Sequence, residues 1–315
     1  MDWDKFVQLT VNGLTLGSVY ALIALGFSMV YGVLKLLNLA HGDVVMVGAF
    51  IGWGVLGWLG GPLDPSVGVW LLIALMLVGA MIGCGFLGVA IERFAYRPLR
   101  TAPRIAPLIS ALGVSFFLQN SVLLLFGADF RSYEAFDLVD VEVGIHWGPL
   151  DVWVIRLTVM GAAAAMMVSL WLLVTRTRLG KAMRATSVDR EAAAMMGIDV
   201  DRVILRTFFI GSMLAGAAGV LVGLVFGQIN HFMGFNYGLK GFTAAVVGGI
   251  GSIPGAMFGG LFIGLLEAYT TGYIGDVTRD FLSSEFRDLI VFAVLVLFML
   301  LRPQGIFGRP ELKKV

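Results

Sequence analysis

The residues that could do chemistry are few and scattered. A phosphate-cradling Gly-rich loop built on Gly180-Lys181 would need a glycine five residues upstream and Ser or Thr after the lysine, but the chain has Thr175 and Ala182 there. ATP is not bound by that route. His41, His146 and His231 lie in separate loops or at helix ends, without metal-ligand spacing. No serine sits in a nucleophile elbow and no carboxylate pair lies inside an apolar run, so the chain reads as non-catalytic, with no cofactor of its own. Gln119 and Asn120 fall in the middle of the fourth apolar run, where they are either hydrogen-bonding glue between helices or the lining of a path. Arg156 and Glu267 lie within a turn or two of an interface, where snorkelling explains them more cheaply than substrate contact. Cys84, the single cysteine, reads as a small core residue.

The elements that must position these groups are membrane spans. Of 315 residues, 58% are hydrophobic and 14% charged, and the mean hydropathy is +0.91. Several segments run about 20 residues without a charge, which a soluble domain does not do. A net charge of +1 says nothing of nucleic acid, and none is expected as a partner. The start, MDWDKF, is acidic, and the run behind it is too long for a signal peptide, so no cleavage is expected.

Apolar runs cover 7–33, 44–59, 67–91, 105–127, 152–174, 204–227, 255–273 and 287–301, with a polar loop at 38–43 and a break at Gly60, Gly61, Pro62 and Pro65. Arg93, Arg97, Arg100 and Arg104 against Glu92 place the loop after the third run in the cytoplasm. Residues 128–151 carry six acids (Asp129, Glu134, Asp137, Asp140, Glu142, Asp151) against Arg131 and belong outside. Residues 175–206 carry seven Arg or Lys against four acids, and the tail has Arg302, Arg309, Lys313 and Lys314, so both belong inside.

An even number of crossings must therefore separate Arg206 from Arg302, yet only three obvious runs do. The fourth is 241–251, GFTAAVVGGIG, too short for a straight helix across about 30 Å. Irregular backbone at that depth must be buried in protein or line a wet cavity, and broken helices often mark a path. Gly248, Gly249 and Gly251 are accordingly candidate path residues, a short packed crossing being the alternative. The expected fold is an all-α polytopic helical bundle of about eight or nine crossings, a single transmembrane domain over 1–315 with the N-terminus outside. Small residues at spacing four (Ala215, Gly219, Gly223 and Gly227; Gly255 and Gly259; Gly13 and Gly17) are expected to let helices approach closely.

Within the cytoplasmic loop at 176–206 lies a polar stretch, GKAMRATSVDREAAAMMGIDVD at 180–201. Ser187 suits the cap of a helix of about ten residues, with Asp189 and Glu191 in its first turn and Gly197 as its left-handed end. Such a helix is too short to stand alone and reads as a docking element.

Glu191-Ala192-Ala193 followed by three residues and Gly197 resembles the EAA loop of ABC importer membrane subunits. The wider pattern resembles the LivH-type branched-chain amino acid permeases, in NGLTLGSVYALIALGFSMVYG at 12–32, NLAHGD at 38–43, the loop at 180–198, GGIGSIPGAMFGG at 248–260 and RPQGIFG at 302–308. The chain departs from the widest EAA pattern downstream, where Ile204 and Leu205 lead into Arg206 and no proline follows. The resemblance implies that Glu191, Ala192, Ala193 and Gly197 form a coupling surface edged by Arg184 and Asp189. It implies an importer in the bacterial inner membrane, with a homologous second permease, two ATPase subunits that hold ATP and Mg, a periplasmic binding protein and surrounding lipid. The acidic loop at 128–151 is then either where the binding protein touches or an ordinary solvated loop. Related permeases carry urea, short amides or other amino acids, which keeps the substrate open. A passive channel would not need a capped coupling helix, and a secondary transporter would be expected to carry an ion-coupling carboxylate or Arg–acid pair at mid-membrane, where the sequence offers none.

Overall fold

The structure, a computed structural model, describes residues 3–59, 65–100, 102–103, 105–133, 144–147, 150–278, 287–302 and 304–308. Gly60, Gly61, Pro62, Arg104, Glu134, Asp137, Asp140, Glu142, Arg309, Lys313 and Lys314 lie outside the described residues.

Uniformly apolar sequence gives helices without a polar stripe, and these pack as a bundle whose order of burial follows residue size. α1 (Trp3–Leu34) has 89% of its most apolar window buried, and α8 (Val200–Phe226) has 78%. Both are rich in Gly, Ala and Ser, which let neighbours come close. α4 (Ile105–Phe126) and α5 (Val154–Arg176), with Phe, Leu and Trp on their surfaces, are 22% buried and form the outside of the bundle. Between them lie α2 (His41–Leu59) and α3 (Pro65–Ile91), the latter running on through a π turn at Glu92–Tyr96 and a 3-10 turn at Arg97–Leu99. The chain closes with α9 (Met233–Gly248), α10 (Ile253–Thr278) and α11 (Arg287–Leu301).

The expected small-residue seams are present. A Cβ on Gly13 would lie 2.9 Å from the Leu265 Cα, and one on Gly17 2.8 Å from the Leu261 Cα, so α1 and α10 touch backbone to backbone. On α8, Gly219 faces the Val45 carbonyl and Gly223 the Tyr133 ring, whereas Gly227 ends the helix with φ +68°. Gly255 and Gly259 of α10 meet Gly248 and Ala244 of α9.

Among the described residues seven helices are long and apolar enough to cross a membrane, and α9 and α11 are shorter. The short crossing differs from the sequence reading. It begins eight residues before Gly241, at Met233, and stops at Gly248 because Gly249 (φ +108°) and Gly251 (φ +86°) turn the chain. At 1.5 Å per residue its 16 residues make about 24 Å, and residues 228–232 lead into it from a two-residue antiparallel pairing, β4 (Gln228–Ile229) against β1 (Arg131–Ser132). A second ladder joins β2 (Gly144–Trp147) to β3 (Leu150–Trp153).

α2 also starts inside the bundle. α1 ends at Leu34, Lys35 adopts φ +55°, and by His41 the chain has returned to a point where the imidazole lies on Gly26, two turns back from the end of α1. Two turns are about 12 Å, near the middle of a core about 30 Å thick. The first turn of α2 meets the first two turns of α9 there, a Cβ on Gly42 striking the Gly234 carbonyl and lying 2.8 Å from the Gly238 Cα. This chain is therefore a multi-pass helical membrane protein with two helices that begin within the bundle.

Candidate functional site

The basic ends of α1, α3, α5 and α8 gather on one side, which the positive-inside rule places in the cytoplasm. There Thr177 caps α6 (Arg178–Val188), its hydroxyl accepting from the Gly180 amide at 3.1 Å. A Cβ on Gly180 would strike the Leu173 and Val174 carbonyls, so only glycine allows this tight turn. Arg184 donates to the Val174 carbonyl at the end of α5.

The docking element is two helices rather than one. Ser187 does not cap it; its hydroxyl donates to the Arg184 carbonyl at 2.7 Å. Asp189 is the cap, extended at φ −154° and ψ 118°, accepting from the Glu191 and Ala192 amides at 3.0 and 3.1 Å. The following α7 (Arg190–Met195) ends as the sequence suggests. Gly197 has φ +82°, its amide meets the Ala194 carbonyl at 3.0 Å, and the Ile198 amide meets that of Ala193 at 3.1 Å. Asp199 then caps α8, accepting from the Arg202 amide at 3.0 Å.

Ala193 is buried against the bundle, while Glu191, Ala192 and Gly197 are exposed. Around them Val188, Met195 and Met196 are 83%, 82% and 83% exposed, an apolar tip on a polar, cytoplasmic surface. Arg190 ties this tip to the bundle by donating to the Leu34 carbonyl at the end of α1. Burial, and then the like charge of Arg100, hold the Arg190 guanidinium below its ordinary value. Arg97 and Arg100 both bind Asp201, and Arg100 also closes on buried Glu92, which locks the turns after α3 to the first turn of α8. Between the end of α1, Leu99, Arg100, Ala102, Pro107, residues 186–188 and Arg190 lies a cavity of 310 Å³.

Deeper in the bundle, two polar groupings were not foreseen. Glu267 does not snorkel. It is 3% exposed, 2.7 Å from the Lys240 ammonium and 2.9 Å from the Tyr20 hydroxyl that donates to it, and Lys240 also reaches Asp288 at 2.9 Å. An acid–base pair thus exists at membrane depth where the sequence reading found none. Lys240 lies one residue before the apolar run at 241–251, and it stands in mid-helix because α9 begins at Met233. Arg156, half-buried, donates to Asn12 and lies 5.5 Å from the Trp153 ring.

The second grouping surrounds Asp43, which sits in the first turn of α2 and not in a loop. Ser115 donates to one carboxylate oxygen and the Gln119 amide to the other at 2.9 Å. Asn120, one residue on, points outward and donates to the Phe116 carbonyl at 2.7 Å. His41 is 1% exposed, packs edge-to-face on Phe27 at 4.6 Å, and neither ring nitrogen has a hydrogen-bond partner among the described residues. Tyr133 anchors the middle of α2 by donating to the Ala49 carbonyl at 3.0 Å, and burial pushes its phenol above the ordinary value, keeping it a neutral donor.

Gly248, Gly249 and Gly251 lie at the cytoplasmic turn after α9. The Ile306 and Phe307 amides bind the Val247 and Gly248 carbonyls at 2.9 and 3.0 Å, so the motifs at 248–260 and 302–308 form one unit. Among the described residues no three His, Cys, Asp or Glu side chains come together as a metal cluster requires.

The pattern of the family described as "Branched-chain amino acid transport system / permease component" matches residues 9–299. The high-affinity branched-chain amino acid transport system permease protein LivH of Escherichia coli (strain K12) is 42% identical over 321 residues, covering 98% of both chains. LivM of the same organism is 27% identical over 325 residues, covering 96% of this chain and 72% of its own. Among solved structures, a chain of PsaBC from Streptococcus pneumoniae in complex with Fab superposes with a TM-score of 0.50 at 17% identity, over 95% of this chain and 93% of that one, a likeness of fold alone. With nearly its whole length matched, the chain belongs to the permease component family of branched-chain amino acid transport systems.

Proposed function

We propose that this chain is a membrane-spanning permease subunit of an ATP-driven importer in the bacterial inner membrane, carrying branched-chain amino acids and powered by separate ATPase subunits. The observation that carries the coupling half of this reading is the exposed tip of Val188, Met195 and Met196 around Glu191 and Ala192. Large apolar side chains on a cytoplasmic surface mark a protein interface, and a chain without a nucleotide loop needs its motor from a partner. Glu191, Ala192 and Gly197 meet the ATPase; Asp189, Arg184 and buried Ala193 hold the tip in shape. When ATP and Mg close two ATPase subunits, α7 moves with them. Its movement reaches α1 through Arg190 and the Leu34 carbonyl, and the ends of α3 and α8 lie alongside, joined through Asp201.

LivH and LivM of one organism both match this chain, which supports a homologous second permease as its membrane partner. A periplasmic binding protein delivers the cargo. The named substrates of the relatives favour branched-chain amino acids over urea, short amides or a passive route. The test is uptake and ATP hydrolysis by the complex co-expressed in lipid with its binding protein. Leucine or valine should stimulate both in the wild type, and Gly197→Pro should uncouple or disassemble the complex while Glu191→Ala weakens docking. Solute movement by this subunit alone without nucleotide, with both variants indifferent, would replace this reading with a channel.

A further inference from the structure

Three carboxylates are buried among the described residues, and they differ in one respect. Glu92 is closed by Arg100 and Glu267 by Lys240. Asp43, 2% exposed at mid-depth, has no cation beside it among the described residues; there its oxygens meet only the Ser115 hydroxyl and the Gln119 amide. A carboxylate offers about four lone-pair positions, so two neutral donors leave it able to accept more. Its surroundings also offer partial positive charge without a fixed base. Asp43 belongs to the first turn of α2, and a Cβ on Gly234, in the first turn of α9, would lie 2.7 Å from its Oδ1. Two helix N-termini, each carrying roughly half a positive charge, thus face one acid. A permanent Lys or Arg would occupy the carboxylate; diffuse partial charge leaves it open to a cation that comes and goes.

The cover over Asp43 is α4, the element that supplies Ser115 and Gln119. It is among the least buried spans, with Phe116, Phe117 and Leu124 62%, 70% and 85% exposed. Its first turn, at Pro107, lines the cavity that residues 186–188 and Arg190 of the coupling segment also line.

We propose that Asp43 is the acceptor, on the translocation path, for the α-ammonium group of the amino acid being carried, with Ser115 and Gln119 holding the carboxylate and α4 covering and uncovering it. This rests on the reading that the cargo is an amino acid. The competing account makes Asp43 a protonated hydrogen-bonding group that only glues α2 to α4, and the two accounts separate under isosteric substitution. Asp43→Asn keeps the shape and the donor–acceptor edge of the neutral acid but carries no charge.

In proteoliposomes holding the whole complex and its binding protein, Asp43→Asn should assemble yet lose leucine uptake by roughly tenfold to a hundredfold, the fold-change for one hydrogen bond to a charged group. Gln119→Lys, which tethers an ammonium beside Asp43, should assemble and be equally idle. Wild-type uptake by either assembled variant overturns the proposal. A measurement on the unmodified complex needs no variant: labelling of Asp43 by a hydrophobic carbodiimide, read by peptide mass spectrometry, should be slowed by leucine and not by 4-methylpentanoate, its deaminated analogue. Equal labelling with both compounds also overturns it. If the wild-type complex takes up no amino acid at all, the proposed function fails instead.

Discussion

Replacing Lys240 by Met should destabilise the subunit by about 3–5 kcal/mol, the cost of leaving a buried charge without its partner. The structure decides why the figure is this large. At 2.7 Å the ammonium and the Glu267 carboxylate attract by about 6 kcal/mol at an effective dielectric constant near 20, and both groups are almost fully buried. The mutation removes that attraction but recovers the desolvation of Lys240, while Glu267 stays buried with the Tyr20 hydroxyl at 2.9 Å. The pair's own net worth is a different quantity, because the coupling energy of an interhelical polar contact in a bilayer averages only about 0.6 kcal/mol by double-mutant cycle. Hence Lys240→Met with Glu267→Met should return to within about 1–2 kcal/mol of wild type, Asp288 being half-exposed and able to reach water. Reversible unfolding in mixed micelles across a detergent series reads both numbers. Equal stability of the single and double variants would refute the reasoning, since the cost would then lie in packing and not in the orphaned charge.

Glycine substitutions should divide by what their Cβ meets. Gly219→Ala drives a methyl onto the Val45 carbonyl and to 2.7 Å from the Ala49 amide, costing about 1–3 kcal/mol, whereas Gly161→Ala in α5 meets nothing within 4 Å and should gain up to about 1 kcal/mol in the same unfolding assay. Gly197→Ala also meets open space but must hold φ +82°, a backbone cost of about 1–2 kcal/mol confined to α7. Hydrogen exchange should quicken over residues 190–198 while global unfolding stays unchanged.

The spans were legible because hydropathy alone sets them, and the basic loops told which end of the bundle is which. The failures share a cause. A run drawn from Gly241 hides the first half of α9, and the polar run at 38–43 hides the start of α2, since each helix begins in sequence that does not look like a span. Glu267 was misread for the same reason: a lone acid near a span end looks like a snorkelling group until its partner, 27 residues earlier, is seen beside it. Ser187 and Asp189 are both good cap types at workable spacing, and only the extended backbone at Asp189 separates them. Gln119 and Asn120 could not be told apart as a pair, yet adjacent helix positions differ by about 100°, so one turned to Asp43 and the other away.

That divergence bears on how the two ends of the molecule communicate. Ser115 and Gln119 lie 10 and 14 residues along α4 from its start, about 15 and 21 Å at 1.5 Å per residue. The root of α4 faces the coupling segment across 310 Å³ of space lined by Arg100, Thr186 and Arg190. Space of this size lets residues 186–190 advance before they meet Pro107, and a helix anchored mainly at one face tilts more readily than one enclosed on all sides. α1, enclosed by its neighbours, can pass on what it receives through Arg190 only by moving with the helices around it. On the proposal made for Asp43, force applied at α7 therefore reaches the carboxylate along the outer helix, with the broken ends of α2 and α9 as the fixed floor against which α4 opens.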